Sequence, residues 1–217
     1  LTSTKLSAKW IDQTFIVLPQ TDIDLKKIEG TFTVGYVYKP TINWKLNTVI
    51  STGFRSPNID DVGKVREKNG KVTVPNIYLK PEYAYNGEIG VLKYFNDRTF
   101  GLGFNTYYTL LDNYITRDNF VLNGSSTILY DGEIADVVAN QNKGKAYITG
   151  FTASYFGKLN KNWKTSGSIT YTKGRTFDTE EPLSSIPPLF GRFEISYRKN
   201  NIELAANYRF NARKDIK

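Results

Sequence analysis

Cysteine, histidine and methionine are all absent from the 217 residues. Without cysteine there is no disulfide, thiolate ligand or thiol nucleophile. Without histidine the usual general base and the commonest metal ligand are missing. Ser-His-Asp and Cys-His catalysis, structural zinc and histidine-ligated haem are thereby excluded, and no cofactor is expected. No apolar run approaches the roughly 18 residues of a membrane-spanning helix. The chain starts at Leu1 and shows no signal peptide. It reads as a fragment or a processed chain.

What is present is aromatic and basic. The chain holds 15 Tyr, 13 Phe and 3 Trp, and 29 Lys and Arg stand against 21 Asp and Glu, a net charge of +8. Tyrosine pairs an apolar ring with a wet tip and suits surfaces that lie half in water. The mean hydropathy of −0.42 reads as soluble. A membrane β-barrel gives the same average, because only alternate residues of its strands meet lipid. A hydrophobic content of 40% excludes disorder.

Period-two alternation runs through nearly the whole chain and predicts about nine strands. In 30–38, Phe32, Val34, Tyr36 and Tyr38 share one parity; in 44–54, Trp44, Leu46, Ile50 and Phe54 do. Similar rows run through 83–91, 100–110, 147–155, 163–171, 193–198 and 202–210, with a weaker strand around 5–17. The alternation puts Phe32, Val34, Tyr36, Leu46, Ile50, Leu102, Phe104, Ile195 and Leu204 on one outward face, opposed to Asn47, Asn105, Glu194 and Glu203.

The connections alternate in length. Segments 39–43, 96–99, 156–162 and 199–201 are short; 56–81, 112–143 and 174–188 are long. In an up-and-down antiparallel meander all short turns then fall on one rim and all long loops on the other. That asymmetry belongs to a transmembrane barrel. Tyr38, Trp44, Phe95, Phe100, Tyr155, Trp163 and Tyr197 flank the short turns, where an aromatic girdle is expected. The fold class read here is therefore all-β: an antiparallel up-and-down meander forming part of a large transmembrane β-barrel, with 1–217 as a single partial domain.

Motifs add a family. Gly53-Phe54-Arg55-Ser56-Pro57-Asn58-Ile59-Asp60-Asp61 is followed by Leu79-Lys80-Pro81-Glu82-Tyr83-Ala84-Tyr85-Asn86 and by Glu88-Ile89-Gly90. Later come 142–150, Pro182-Leu183, Ile186-Pro187-Pro188-Leu189 and Gly191-Arg192. In order and spacing this resembles the barrel of TonB-dependent outer-membrane receptors, from Ile28 to Phe210. Such receptors have about 22 strands around a plugged lumen. Nine strands do not close that barrel, and neither a plug-like segment nor a TonB box is recognisable. The chain is therefore expected to be an internal piece of the barrel.

The resemblance implies a bacterial outer-membrane receptor that takes up a scarce solute, such as an iron chelate or a vitamin. The implied partners are outer-membrane lipid and lipopolysaccharide, a plug domain and TonB in the intact protein, and the small ligand. No enzyme activity and no nucleic-acid partner are expected, because the basic residues read as scattered over loops and both rims. Ligand contacts are assigned to Arg55, Asn58, Tyr114, Arg117 and Tyr130. Pro57, Lys80, Pro81, Glu82, Glu88 and Pro187 are read as structural. The alternative is a soluble extracellular or periplasmic β-sheet binding module using the same loops. Its apolar face would be buried against a second sheet.

Two registers are open to the last hairpin. One would put Lys199-Asn200 in the turn and pair Arg198 with Asn201 and Ser196 with Glu203; the other is preferred. Asn200 and Asn201 are read as the centre of a type I′ turn, which opposes Lys199 to Ile202, Arg198 to Glu203, Tyr197 to Leu204 and Glu194 to Asn207.

Overall fold

A computed structural model describes residues 1–11, 14, 16–18 and 21–214. The strands are β1 (Thr2–Lys9), β2 (Asp22–Glu29), β3 (Thr33–Tyr38), β4 (Trp44–Arg55), β5 (Arg66–Lys68), β6 (Lys71–Thr73), β7 (Glu82–Phe95), β8 (Phe100–Asn119), β9 (Thr127–Tyr130), β10 (Glu133–Lys158), β11 (Trp163–Thr176), β12 (Phe190–Lys199) and β13 (Ile202–Asn211). One helical turn, α1 (Ile59–Val62), lies in the connection after β4. The chain falls into two compact units, and the boundary lies inside β4, β7, β8 and β10.

The first unit comprises Leu1–Phe32, Gly53–Ala84 and Leu111–Lys145. It holds nearly all the buried apolar residues. Ile16, Leu18, Val72, Val74, Leu122, Ala135, Val137 and Ala139 form one cluster; Ile23, Val62, Leu79 and Ile115 form another. The connections 56–81 and 112–143 therefore share a core with Ile16, Leu18 and Ile23 of the N-terminal segment. β6 runs parallel to β10 with Val72 opposite Val137, and β9 pairs antiparallel with the start of β10. β1 pairs with β2 along its whole length.

This revises the sequence reading in three places. β2 was not expected. The segment 112–143 is no simple loop, because β8 runs on to Asn119 and β10 begins at Glu133. The expected strand around 5–17 is shorter and earlier, at Thr2–Lys9; within its remainder, residues 12, 13 and 15 lie outside the described residues.

The second unit comprises Thr33–Thr52, Tyr85–Leu110 and Ala146–Lys217. Its sheet runs in the order β13-β12-β11-β10-β8-β7-β4-β3, an antiparallel meander with an open edge at each end among the described residues. Ala146 and Leu183 are its only buried apolar residues among those described. Its large apolar side chains are instead exposed: Val34, Tyr36, Leu46, Ile50, Leu102, Phe104, Tyr208 and Leu204 among them. Register puts them on one face. Val34 pairs with Ile50, Tyr38 with Leu46, and Tyr197 with Leu204. Across the middle of the sheet Phe104 stacks on Phe151, and Tyr108 on Tyr147, at centroid distances of 5.8 Å each. Ile195 shares this parity and is half-buried.

The short turns lie side by side. Backbone bonds join Asn43 to Tyr94, Thr99 to Lys158 and Asn162 to Arg198, each linking one hairpin turn to the next. The last hairpin has the expected register, with Lys199 opposite Ile202, Arg198 opposite Glu203 and Glu194 opposite Asn207. Its turn is not type I′. Only Asn200 has a positive φ, at 51°, whereas that turn needs positive φ at both centres.

Candidate functional site

Two sets of polar side chains are placed by this fold. The first lies in the unit with the core. Arg55 ends β4, and its guanidinium donates to Asp61 at 2.7 Å and lies 3.8 Å from Glu82 at the start of β7. Glu82 also accepts from the backbone N–H of Ile115 at 2.8 Å. Asn58 caps α1 by accepting from the Asp61 N–H, and Asp61 accepts from the Asn58 N–H in return. This reciprocal capping box explains why the Asn-Ile-Asp-Asp sequence makes one helical turn after Pro57. Arg55 and Asn58, assigned to ligand from the sequence, thus engage the loop itself through Asp61. Pro57 and Pro81 are buried, and Pro81 directly precedes β7.

Lys80 is held by its backbone. Its N–H donates to Asn142 Oδ1 at 2.8 Å, and its carbonyl accepts from Asn142 Nδ2 at 3.0 Å. Asn142 Nδ2 also donates to the Asn113 carbonyl. Asn140 donates to the Asp61 carbonyl, and Gln141 to the Asn119 carbonyl. The buried Asn76 donates to the Asn140 carbonyl at 2.8 Å. The run Asn140-Gln141-Asn142 on β10 therefore ties three neighbouring segments together, each amide satisfying backbone groups that no ladder reaches. The sequence reading missed this role of 140 and 141. The available signal was three consecutive amides directly after the apolar run Val137-Val138-Ala139.

Of the other assigned ligand residues, Tyr114 is half-buried and Arg117 exposed on β8, and Tyr130 packs against the larger core cluster. Asp118, next to Arg117, bonds Lys143. That contact, and a bond from the Asn119 N–H, hold its carboxyl below the ordinary carboxylate range.

The second set lies in the meander, on the face opposite the apolar row. Glu88 accepts from Asn105 at 2.6 Å, and Asn86 from Thr109 at 2.8 Å. Tyr107 bonds Thr172, and Thr152 bonds Thr170, at 3.0 Å each. The sheet is therefore two-faced, with paired polar side chains on one side and exposed aromatics and aliphatics on the other. Pro187 is exposed in the connection before β12. Around the short turns, Trp163 meets Tyr197 at 4.9 Å, Phe95 meets Phe100 at 5.8 Å, and the Lys93 ammonium sits 4.7 Å from the Trp44 ring centroid.

The basic residues are spread over both units, but the net charge is not. The first unit has 13 basic and 13 acidic residues, whereas the second has 16 and 8, so the whole excess of +8 belongs to the meander.

A family model described as TonB dependent receptor-like, beta-barrel, matches residues 19–215. No curated protein sequence matches the chain. Several solved structures share the fold. The siderophore receptor PirA from Acinetobacter baumannii aligns with a TM-score of 0.66 at 17% identity, over 88% of this chain and 31% of that one. A mutant ferric enterobactin receptor (PfeA) from Pseudomonas aeruginosa, in complex with enterobactin, gives 0.67 at 18%, over 86% and 28%. A double mutant of the Serratia marcescens hemophore receptor HasR, in complex with its hemophore HasA and heme, gives 0.68 at 15%, over 97% and 38%. The chain thus spans less than two fifths of each of these receptors.

Proposed function

The chain belongs to the TonB-dependent receptor-like β-barrel family of bacterial outer-membrane proteins, and from that premise we propose that it is the barrel segment of a receptor for TonB-dependent uptake of a scarce solute. The solute class is an iron chelate or a vitamin. Residues 1–217 form one partial barrel domain whose closure needs strands outside this chain. The plug and TonB are partners of the intact protein, and outer-membrane lipid covers the apolar face. The connections 56–81 and 112–143 are the ligand-facing part, with Tyr114, Arg117 and Tyr130 as contact residues. Arg55 and Asn58 act on ligand through the shape of the loop they hold. Glu88 is a polar residue of the lumen wall.

One observation carries this reading: a sheet that exposes its large apolar side chains on one face while pairing polar ones on the other. A soluble binding module would bury that apolar face against a second sheet. Lipid is the solvent that makes it stable as it stands.

The test is genetic deletion of the intact receptor in its own bacterium, with uptake of radiolabelled iron from a panel of chelates. The reading expects uptake of at least one chelate to fall, and the same loss when TonB is inactivated. Unchanged, TonB-independent uptake of iron and vitamins, or recovery of the protein in soluble fractions, overturns it.

A further inference from the structure

The net charge of the meander is concentrated at one edge. The four hairpin turns and their flanking residues, 38–46, 92–100, 157–165 and 197–204, hold nine basic side chains: Lys39, Lys45, Lys93, Arg98, Lys158, Lys161, Lys164, Arg198 and Lys199. Only Asp97 and Glu203 oppose them. Among the described residues none of the nine forms an ion pair. Lys158 and Lys164 even face each other across β10 and β11, an arrangement that is unfavourable without an anion nearby.

The nine divide by the face they serve. Lys93 sits against Trp44 and Phe95, at 4.7 and 5.0 Å from their ring centroids, on the apolar side. Lys199 lies opposite Ile202, in the row that carries Tyr197 and Leu204. Lys39 and Lys161 are exposed in the turns. Lys39, Lys161 and Lys199 thus lie on the turn side of Tyr38, Trp163 and Tyr197, and Lys93 lies among the aromatics that end the apolar face. In a bilayer the layer beyond an aromatic girdle is the phosphate layer, and a lysine stem reaches it by lying along apolar neighbours.

We propose that this edge is a lipid-phosphate collar: Lys39, Lys93, Lys161 and Lys199 bind the headgroups of anionic phospholipid in the periplasmic leaflet. The commitment to phospholipid over lipopolysaccharide follows from the charge distribution. Short turns of an outer-membrane barrel face the periplasm. The long connections 56–81, 112–143 and 174–188, which in such a barrel face the lipopolysaccharide side, together hold 8 basic and 11 acidic residues and have no positive excess to offer. Each basic group near an anionic surface adds to attraction that falls off within a Debye length, so the collar is salt-sensitive.

The inference rests on the outer-membrane reading above, and the experiment separates the two. The intact receptor is purified from outer membranes in detergent, its folding verified by heat-modifiable electrophoretic mobility. Bound lipid is then read by native mass spectrometry against added phosphatidylglycerol, phosphatidylethanolamine and lipid A. The expected result is preferential retention of phosphatidylglycerol. A combined K39Q/K93Q/K161Q/K199Q variant should lose that retention at least fivefold, with lipid A unaffected. A second variant, K45Q/K158Q/K164Q, alters the opposite face and should retain phosphatidylglycerol as the parent does. Equal retention of phosphatidylglycerol and phosphatidylethanolamine by the folded parent overturns the collar. So does loss of lipid A in the fourfold variant, or loss of phosphatidylglycerol only in the threefold one. A parent protein missing from the outer membrane refutes the receptor reading instead.

Discussion

The Tyr107 hydroxyl lies 3.0 Å from Thr172 Oγ1, and the strand between them, β10, presents Gly150 beneath the ring. A Cβ at position 150 would fall 2.9 Å from the Tyr107 oxygen and 2.3 Å from the Tyr171 carbonyl oxygen. The second of these neighbours is backbone and cannot swing aside. Gly150→Ala should therefore destabilise the intact barrel by about 1–3 kcal/mol through overpacking. Pairing it with Tyr107→Phe should recover only a small part. Urea unfolding of the folded receptor in detergent checks both, and a neutral Gly150→Ala would show that the close approach does not exist.

Arg55 is predicted to act on the loop more than on global stability. Asp61 is only 14% exposed and Glu82 16%, so Arg55→Ala leaves two poorly hydrated carboxylates close together. The arginine is itself 44% exposed, and the net cost should stay near 1 kcal/mol. Hydrogen exchange should quicken at Ile59–Val62 and leave β11 to β13 unchanged. Exchange that quickens everywhere, or nowhere, contradicts the clamp.

The Asp118–Lys143 contact gives a pH signature of known sign. The folded carboxyl titrates below its unfolded value, so its contribution is present above the ordinary carboxylate range. It is lost as pH falls through the lowered value. Carbon-detected titration of Asp118 should place its midpoint below the ordinary carboxylate range, and Lys143→Ala should move that midpoint upward. A midpoint that ignores Lys143 rules out the contact.

Lipid exposure predicts an asymmetry between neighbours on β4. Ile50 is 62% exposed on the apolar row, whereas Asn47 lies on the polar face. If Ile50 sits near the bilayer midplane, Ile50→Lys should cost about 2–4 kcal/mol. Asn47→Lys should cost well under half as much, and unfolding from lipid vesicles measures both.

Much of the meander was legible because a half-lipid, half-water sheet writes its two faces into alternate residues. That Val34 and Ile50 share a face follows from that alternation, and the pairing of Tyr197 with Leu204 follows once the turn is placed at Asn200-Asn201. The unit built on the connections was not legible. Its buried residues, such as Ile16, Val72, Leu122 and Val137, come from three separate segments and carry no common period. β2 escaped notice for a related reason: Ile23 and Leu25 alternate with Asp22 and Asp24, but Lys26 and Lys27 break the row. The site was half legible. Arg55, Asn58 and Glu82 were found by motif, whereas their joint dependence on Asp61 and Ile115 needed coordinates. The turn at Asn200 shows the limit of residue preference: asparagine tolerates positive φ at both centres, and the chain uses it at one.

The central claim is that one face of this sheet meets lipid and the other does not. The most direct measurement is spin-label accessibility in the intact receptor, reconstituted in bilayers from a cysteine-free background. Single cysteines would replace Ile50, Leu102, Phe104 and Leu204 on one face, and Asn47, Asn105 and Glu194 on the other. The account predicts high oxygen and low nickel-chelate collision rates for the first four, and the reverse order or protection from both for the last three. Equal accessibility of the two rows, or nickel contact at Ile50 and Phe104, would contradict it.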